Sequence, residues 1–270
     1  MPDIPRRQSA VVPRFGTDKV FPWEHPVPRI LFKYFPPDRF RVLTECFVRF
    51  SQRQVFDDEL EFTPPIARFG TEEEILTFMK TDPVLNRHPE ELMKLAASHI
   101  LSSPEREQAQ MDQAKKYLTA PNEYVAFCLT EDPKSERMWT EYAANRTGFV
   151  IAFDTTHPRF SLLRRPGLLG KVEYTDDPIP SFLSAYGTDT FFRKRTKYTF
   201  EAEWRSLRSK KRFDCVIAHD GGLDIYLAPF DPACIVALLI QQECSVELKL
   251  RLLASVDFRY RHVPVRLTDE

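Results

Sequence analysis

The segment at residues 200–205, Phe-Glu-Ala-Glu-Trp-Arg, places two carboxylates and a guanidinium at alternate positions. In a β-strand, Glu201, Glu203 and Arg205 would project from one face, because successive side chains of a strand point to opposite sides. Carboxylates about 7 Å apart suit a division of roles, in which one stabilises a cationic centre and the other accepts a proton. Taken alone, however, the segment favours the simpler interpretation of a solvated strand face with a Glu–Arg pair.

The surroundings of the two glutamates are strongly basic. Residues 193–212 contain nine Lys or Arg and two Glu, a local charge of +7 in a chain whose formal net charge is −1. A basic environment favours ionised carboxylates and attracts a ligand that carries phosphate. The alternative is a lysine-rich strand edge that protects against aggregation, and the sequence leaves both interpretations open.

Lys33 is a second candidate, because it interrupts the apolar run Leu-Phe-Lys-Tyr-Phe at residues 31–35. A lysine between apolar neighbours on both faces of a strand usually has a partner or a ligand, although its ammonium can also reach solvent along the surface. Ser51 ends the next predicted strand. Trp139 and Tyr142 share the apolar side of a predicted helix, a pattern that is typical of the core.

The elements that must position these residues are mainly strands. Strands are predicted at residues 29–35, 46–51, 124–129, 149–154, 171–174, 200–207, 213–218, 224–227, 235–240 and 256–260. A hairpin turn is predicted at residues 220–222. Helices are predicted at residues 137–145, ended by Gly148, and at residues 245–253.

The middle of the chain predicts a helical insertion at residues 71–118. A capping-box sequence begins its first helix at residue 71, a proline begins the second at residue 89, and Ser-Pro begins the third at residue 103. Leu92 and Leu95 are predicted on the apolar face of the second helix. The sequence therefore predicts an α+β fold with mixed, mostly antiparallel sheets, in which a proline-rich arm at residues 1–28 precedes a single domain at residues 29–270.

The composition excludes several classes of protein. Of the 270 residues, 43% are hydrophobic and 29% are charged, as in globular proteins, and no apolar run is long enough to cross a bilayer. Five cysteines without a Cys-x-x-Cys pair indicate reduced thiols and a cytoplasmic location. Six scattered histidines and eight glycines form neither a zinc-binding pair nor a glycine-rich phosphate loop. No metal site and no membrane partner are therefore predicted.

Four stretches in order carry a family resemblance. They are Leu-Phe-Lys-Tyr at 31–34; Phe-Ser at 50–51 with Phe-Asp-Asp at 56–58 and Glu61; Met-Trp-Thr-Glu-Tyr-Ala at 138–143 with Gly-Phe at 148–149 and Phe-Asp at 153–154; and Lys194 with the segment 200–205. This set resembles the bacterial domain-of-unknown-function family 2971 over residues 29–241. The chain departs from the family's pattern at Asp57, Glu59, Leu60 and Gln241.

The arrangement is also similar to the plan of ADP-ribosyltransferases, which implies a split-sheet core and NAD as co-substrate. By this resemblance, Lys33 and Tyr34 hold the nicotinamide end of NAD with support from Ser51. Glu203 hydrogen-bonds the nicotinamide ribose and stabilises the oxocarbenium ion of the transition state. Glu201 orients or deprotonates the acceptor. The remaining predicted cofactor contacts are Trp139, Tyr142, Lys194 and Arg205.

Three functions remain open at this point. The first is an ADP-ribosyltransferase-like enzyme that modifies a protein or nucleic acid, as a bacterial toxin or an anti-phage defence effector. The second is a metal-dependent nuclease or other phosphodiesterase that uses a lysine with Asp57, Asp58, Glu201 and Glu203. The third is a non-catalytic module whose basic strand binds nucleic acid or a protein partner.

Overall fold

The computed structural model describes residues 25–117, 120–160, 168–184, 189–218 and 222–268. Its contacts define two compact units, a helical unit with residues 66–117 and 179–184, and a β-rich unit with the described parts of 21–65, 118–178 and 187–270. Most of the predicted arm at residues 1–28 and of the predicted turn at residues 220–222 lies outside the described residues.

The described residues form strands and helices in the following order. The strands are β1 (Ile30–Phe35), β2 (Phe47–Phe50), β3 (Tyr124–Thr130), β4 (Phe149–Asp154), β5 (Leu168–Lys171), β6 (Glu173–Tyr174), β7 (Arg193–Lys194), β8 (Glu203–Ser209), β9 (Cys215–Ile217), β10 (Ile225–Pro229), β11 (Ile235–Ile240) and β12 (Val265–Leu267). The α-helices are α1 (Arg41–Glu45), α2 (Glu72–Thr81), α3 (Glu90–Ile100), α4 (Pro104–Tyr117), α5 (Ala120–Glu123), α6 (Glu136–Tyr142) and α7 (Val246–Phe258).

The β-rich unit is built on a seven-stranded sheet with the strand order β12-β11-β4-β1-β3-β8-β5. Neighbouring strands of this sheet are antiparallel except for the parallel pair β11 and β12. An antiparallel sheet has the order β2-β10-β9, and β6 pairs with β7 in parallel. The predicted α+β class with mostly antiparallel sheets is confirmed.

The large sheet opens between β1 and β3. These strands are paired at one position, Phe32 with Thr130, whereas β3 and β8 pair along the whole length of β3. Farther along β3, Ala126 instead makes a bridge with Ser51, the residue that follows β2. The side chains of Lys33 and Tyr34 are thereby left beside an opening in the sheet.

The interior strand β4 anchors the core of this unit. Its residues Phe149 to Phe153 are all buried, as expected for a continuous apolar strand covered on both faces. Gly148 precedes it and approaches β1 closely, since a Cβ there would lie 2.1 Å from the carbonyl oxygen of Phe35. The left-handed turn after α6 is made by residues 144–146, so Gly148 is required for close packing and does not end the helix.

The helical unit confirms the three predicted helices and corrects one predicted face. Thr71 Oγ1 accepts a hydrogen bond from the Glu74 N–H, and Glu74 returns one to the Thr71 N–H, which completes the capping box before α2. On α3, Leu92 and Leu95 are 53% and 67% exposed, while other residues of the helix face the core. Apolar residues occur on both sides of this helix, so their spacing alone did not determine its buried side.

The strand predicted at residues 256–260 is wrong. Ser245 caps α7 by accepting a hydrogen bond from the Leu248 N–H, and the helix continues to Phe258. The last strand in the described residues is β12, which pairs in parallel with β11. A short run of β-branched and aromatic residues was the basis of the prediction, and such a run is also compatible with a helix.

Candidate active site

A cavity of about 240 Å³ lies in the β-rich unit, beside the opening between β1 and β3. Its walls come from β1, the turn after β2, β3, α6 and the segment between β7 and β8. The lining residues are Phe32, Lys33, Tyr34, Ser51, Val55, Phe56, Asp57, Asp58, Cys128, Leu129, Thr130, Met138, Tyr142, Lys194, Tyr198, Glu201 and Glu203. Among the predicted site residues, Trp139 and Arg205 do not line this cavity.

Glu201 and Glu203 reach the cavity by a backbone route that differs from the prediction. A 3₁₀ helix runs over Thr196–Glu201 and β8 begins only at Glu203, so the two glutamates do not belong to one continuous strand. Ala202 between them has φ = 41° and is left-handed, a conformation that a residue with a Cβ rarely adopts. Both glutamates are buried, with 4% and 3% exposure, so the predicted solvated face is not present.

Arg205 lies under the cavity and holds Glu203. Its Nε and Nη2 atoms donate to the two carboxylate oxygens of Glu203 at 2.9 and 3.0 Å. The guanidinium is fully buried and also donates to the Glu61 carboxylate and to the Phe191 carbonyl. Arg205 therefore cannot contact a ligand in the cavity directly, in contrast to the predicted cofactor contact.

Lys194 connects both candidate carboxylates. Its Nζ lies 2.5 Å from Glu201 Oε2 and 3.5 Å from Glu203 Oε2, so these oxygens are separated by no more than the sum of the two distances. Glu61 Oε2 lies 3.7 Å from the same Nζ. Although burial disfavours the ammonium, the three carboxylates raise the pKa of Lys194 above its ordinary value.

The protonation equilibria of the two glutamates are pushed in opposite directions. Burial would raise the pKa of Glu203, but Arg205 and Lys194 hold it well below its usual range. For Glu201, burial and the nearby charge of Glu203 raise the pKa to about 7, against the opposing effects of Lys194 and Tyr142. The Tyr142 hydroxyl donates to Glu201 Oε1 at 2.6 Å. The site thus holds a carboxylate whose pKa is lowered beside one whose pKa is raised to about 7, so the two are suited to different roles.

The residues predicted on β1 and after β2 lie on the other wall of the cavity. The Tyr34 hydroxyl donates to the Asp132 carbonyl at 2.9 Å, and the Ser51 N–H donates to the Ala126 carbonyl at 2.7 Å. The Lys33 ammonium lies 5.5 Å from the centre of the Phe127 ring. Within the described part of the chain, no carboxylate lies within 4 Å of this ammonium, so its nearest favourable contact is an aromatic face.

Trp139 belongs to the core behind the cavity wall. It has no exposed surface, and its indole N–H donates to the Pro133 carbonyl at 2.9 Å. Its ring packs edge-on against Tyr34, with centroids 5.2 Å apart. The predicted direct contact between Trp139 and a cofactor is therefore absent, because the apolar stripe of α6 packs inward as such stripes usually do. Trp139 supports the wall by holding the ring of Tyr34.

The turn after β2 contributes groups whose roles the sequence did not reveal. Glu61 is 1% exposed and completes the ion-pair network beneath the cavity through Arg205 and Lys194. Asp58 is also buried, and its Oδ1 atom lies 2.6 Å from Arg195 Nη2. The available signal was the cluster of acidic and aromatic residues at 56–61, which formed part of the family resemblance but suggested no pairing.

Cys128 is another lining residue that sequence reasoning missed. Burial and the adjacent charge of Glu203 raise the pKa of its thiol. A thiol of raised pKa carries little thiolate at neutral pH and is a poor nucleophile. The chemistry of the cavity therefore centres on its carboxylates.

The basic run at residues 193–212 does not form a continuous surface. Lys194 is bound to the carboxylates, Arg205 has no exposure and Arg208 is 6% exposed. The Arg208 guanidinium lies 5.1 Å from the ring centres of both Phe50 and Phe213. The +7 local charge is thus partly neutralised or packed inside the unit, so it cannot act as a whole on a ligand at the surface.

In the described part of the chain, no cluster of three or more His, Cys, Asp or Glu side chains has an arrangement suited to a metal ion. None of the described helices has the length and apolar character needed to cross a membrane. Comparisons with family models, curated proteins and solved structures give no significant match. What the site can do chemically therefore follows from the geometry and the charges of the cavity.

Proposed function

We propose that the chain is an ADP-ribosyltransferase-like enzyme that uses NAD, and that the β-rich unit has the split-sheet core of that plan. One observation carries the proposal: a single cavity holds Glu203, whose pKa Arg205 and Lys194 lower, beside Glu201, whose pKa is raised to about 7. Two carboxylates with pKa values pushed apart are typical of sites where one group stabilises charge and the other transfers a proton. The separation of β1 from β3 at the cavity supports the split-sheet part of the proposal.

In the proposed reaction, the nicotinamide ribose of NAD lies against Glu203. The bond between C1 of the ribose and the nicotinamide nitrogen breaks, and its electron pair leaves with neutral nicotinamide. Positive charge moves onto the ribose, where ionised Glu203 stabilises it more strongly than it stabilises the ground state. As an acceptor oxygen or nitrogen bonds to C1, Glu201 takes the proton that the acceptor loses.

The other groups of the network position this pair. Lys194 lies between the two carboxylates, where it favours their ionised forms and limits their motion. Arg205 holds Glu203 through both oxygens, so the carboxylate has a defined orientation toward the cavity. Aromatic side chains on two walls of the cavity offer apolar surface to the nicotinamide ring. They include Tyr34 on β1 and Tyr198 in the 3₁₀ helix that ends at Glu201.

The donor set fits a divalent cation less well than it fits NAD. Asp58 is paired with Arg195, and both glutamates share Lys194. Carboxylates that already neutralise side-chain cations bring little net negative charge to a metal ion, which depends on that charge for its affinity. The binding-module alternative also loses support, because the basic run is partly buried.

The test is incubation of the purified protein with NAD labelled in its adenylate half, with and without cell lysate or nucleic acid, at neutral pH. We expect release of free nicotinamide and transfer of label to a macromolecule, both unaffected by a chelator. Glu203→Gln should lower both signals by about 10²–10³-fold. Failure to release nicotinamide under every condition would refute the proposal, and chelator-sensitive cleavage of a nucleic acid would support the metal-dependent alternative instead.

A further inference from the structure

The size of the cavity limits how much of a ligand it encloses. Its volume is about 240 Å³, whereas pockets that enclose a drug-sized ligand have volumes of about 300–1,000 Å³. A whole dinucleotide is larger than a typical drug. The enclosed space therefore suits one ribosyl unit with its base and an attached group.

The cations of the cavity limit the charge that it receives. Lys33 and Lys194 are the Lys or Arg residues that line it, and Lys194 already contacts the carboxylates of Glu61, Glu201 and Glu203. Lys33 differs, because no carboxylate lies within 4 Å of its ammonium in the described part of the chain. An ammonium among apolar neighbours that lacks a counter-ion favours an anionic ligand.

Only a short distance separates Lys33 from Glu201 and Glu203. Phe32, the neighbour of Lys33, pairs with Thr130 on β3, and Thr130 pairs with Glu203 on β8. Two strand spacings amount to about 10 Å between backbones. Side chains alternate along a strand, so Lys33 leaves β1 on the side opposite to Phe32, Thr130 and Glu203. Lys33 and Glu203 nevertheless both line the cavity, which lies beside the opening between β1 and β3. The cavity can therefore hold a ribose with its glycosidic bond at Glu203 and its other end toward Lys33.

We propose that the enclosed site recognises an N-ribosyl 5′-monophosphate, with Lys33 binding the phosphate instead of the nicotinamide end that the resemblance implied for this residue. Nicotinamide mononucleotide then serves as a glycosyl donor without the adenylate half. The inference rests on the proposed function and names its substrate class more narrowly. With water as acceptor, the C1–N bond breaks with its electron pair going to nicotinamide, water oxygen bonds to C1, and Glu201 takes the proton. The products are ribose 5-phosphate and nicotinamide.

The test compares kcat/KM for nicotinamide release from NAD, nicotinamide mononucleotide and nicotinamide riboside. We expect the mononucleotide to come within about tenfold of NAD, because the adenylate half lies outside the enclosed space. The riboside should be slower by about 10- to 100-fold, the usual effect of losing a charge-assisted contact. In Lys33→Met, the rates for NAD and the mononucleotide should fall by a similar factor, while that for the riboside stays unchanged.

The matched control is Lys211→Met, since Lys211 is 80% exposed and does not line the cavity. It should leave all three values unchanged. Cleavage of NAD without cleavage of the mononucleotide would overturn this inference and leave the proposed function standing. An equal loss for all three substrates in Lys33→Met would also overturn it, because a purely structural role predicts that pattern. Cleavage of none of the three would refute the proposed function itself.

Discussion

Replacing Glu203 with Gln keeps the shape of the side chain and removes its charge from a position that is 3% exposed. The carboxylate accepts two hydrogen bonds from Arg205, and its Oε2 atom lies 3.5 Å from Lys194 Nζ. A carboxamide offers a single oxygen as acceptor, and its NH₂ group would face a cation. At least one charge-assisted hydrogen bond is therefore lost.

The expected cost in stability follows from the partners that remain. Removing one member of a buried ion pair costs about 3–5 kcal/mol. Arg205 keeps its contacts with Glu61 and the Phe191 carbonyl, and Lys194 keeps Glu201 and Glu61. These contacts compensate in part, so we expect the free energy of unfolding to fall by about 3 kcal/mol, near the lower end of that range. Such a loss is a large part of the total of about 5–15 kcal/mol that is usual for a folded protein.

The expected cost in catalysis is separate. Loss of a preorganised group that stabilises transition-state charge lowers kcat by about 10²–10³-fold. Glu61→Gln is the matched control, because Glu61 is 1% exposed and contacts Arg205 and Lys194 but does not line the cavity. We expect it to be destabilised to a similar extent and to lose much less kcat.

Urea unfolding followed by tryptophan fluorescence measures the loss of stability, since Trp139 and Trp204 are buried in the same unit. Initial rates of nicotinamide release, taken at a temperature where both variants are folded, measure the loss of kcat. Equal losses of kcat in the two variants would show that the network acts as a whole and that Glu203 has no special role. Wild-type kcat in Glu203→Gln would refute the mechanism.

Four further predictions concern the pH dependence and the backbone. Because the pKa of Glu201 is raised to about 7, kcat should rise about tenfold from about pH 6 to about pH 8. In Tyr142→Phe, the midpoint of this pH profile should move upward, because the hydrogen bond that is lost favours the ionised form of Glu201. The same raised pKa links stability to pH: the contribution of Glu201 to folding is fully present when the pH is below the ordinary pKa of a glutamate, and it is lost as the pH rises through about 7. Urea unfolding across that pH range should detect the loss. Ala202→Gly should not reduce stability, because glycine adopts the left-handed conformation without strain. Ala202→Val should cost about 1–2 kcal/mol and lower kcat, because a β-branched side chain tolerates this conformation less well than alanine does. Gly148→Ala should lower the free energy of unfolding by about 1–3 kcal/mol, since the new Cβ would collide with the Phe35 carbonyl.

Local features of the fold could be predicted from the sequence because short-range chemistry determines them. The run Phe-Val-Ile-Ala-Phe at 149–153 has too many apolar residues for the edge of a sheet, and β4 lies in the interior of the seven-stranded sheet. The capping-box spacing of Thr71 and Glu74 was sufficient to begin α2. The arm before β1 was a prediction that the described residues do not test.

The candidate site was predictable in its residue types and less so in their roles. The segment 200–205 and Lys33 were identified because charges among apolar residues are costly without a partner. Their alternation suggested a solvated face, but the left-handed Ala202 interrupts the strand and turns both glutamates into the cavity. No periodic pattern encodes a single unusual φ value, so this arrangement could not be predicted.

The sequence by itself therefore determined many of the segments that form strands or helices, and which charged residues were out of place. The tertiary structure alone decided that Arg205 is buried beneath Glu203, that Trp139 supports the wall, and that Glu61 joins Lys194 across 133 positions of the chain. The physical reason is that local chain geometry acts over a few residues, whereas ionisation and burial depend on groups that only folding brings together.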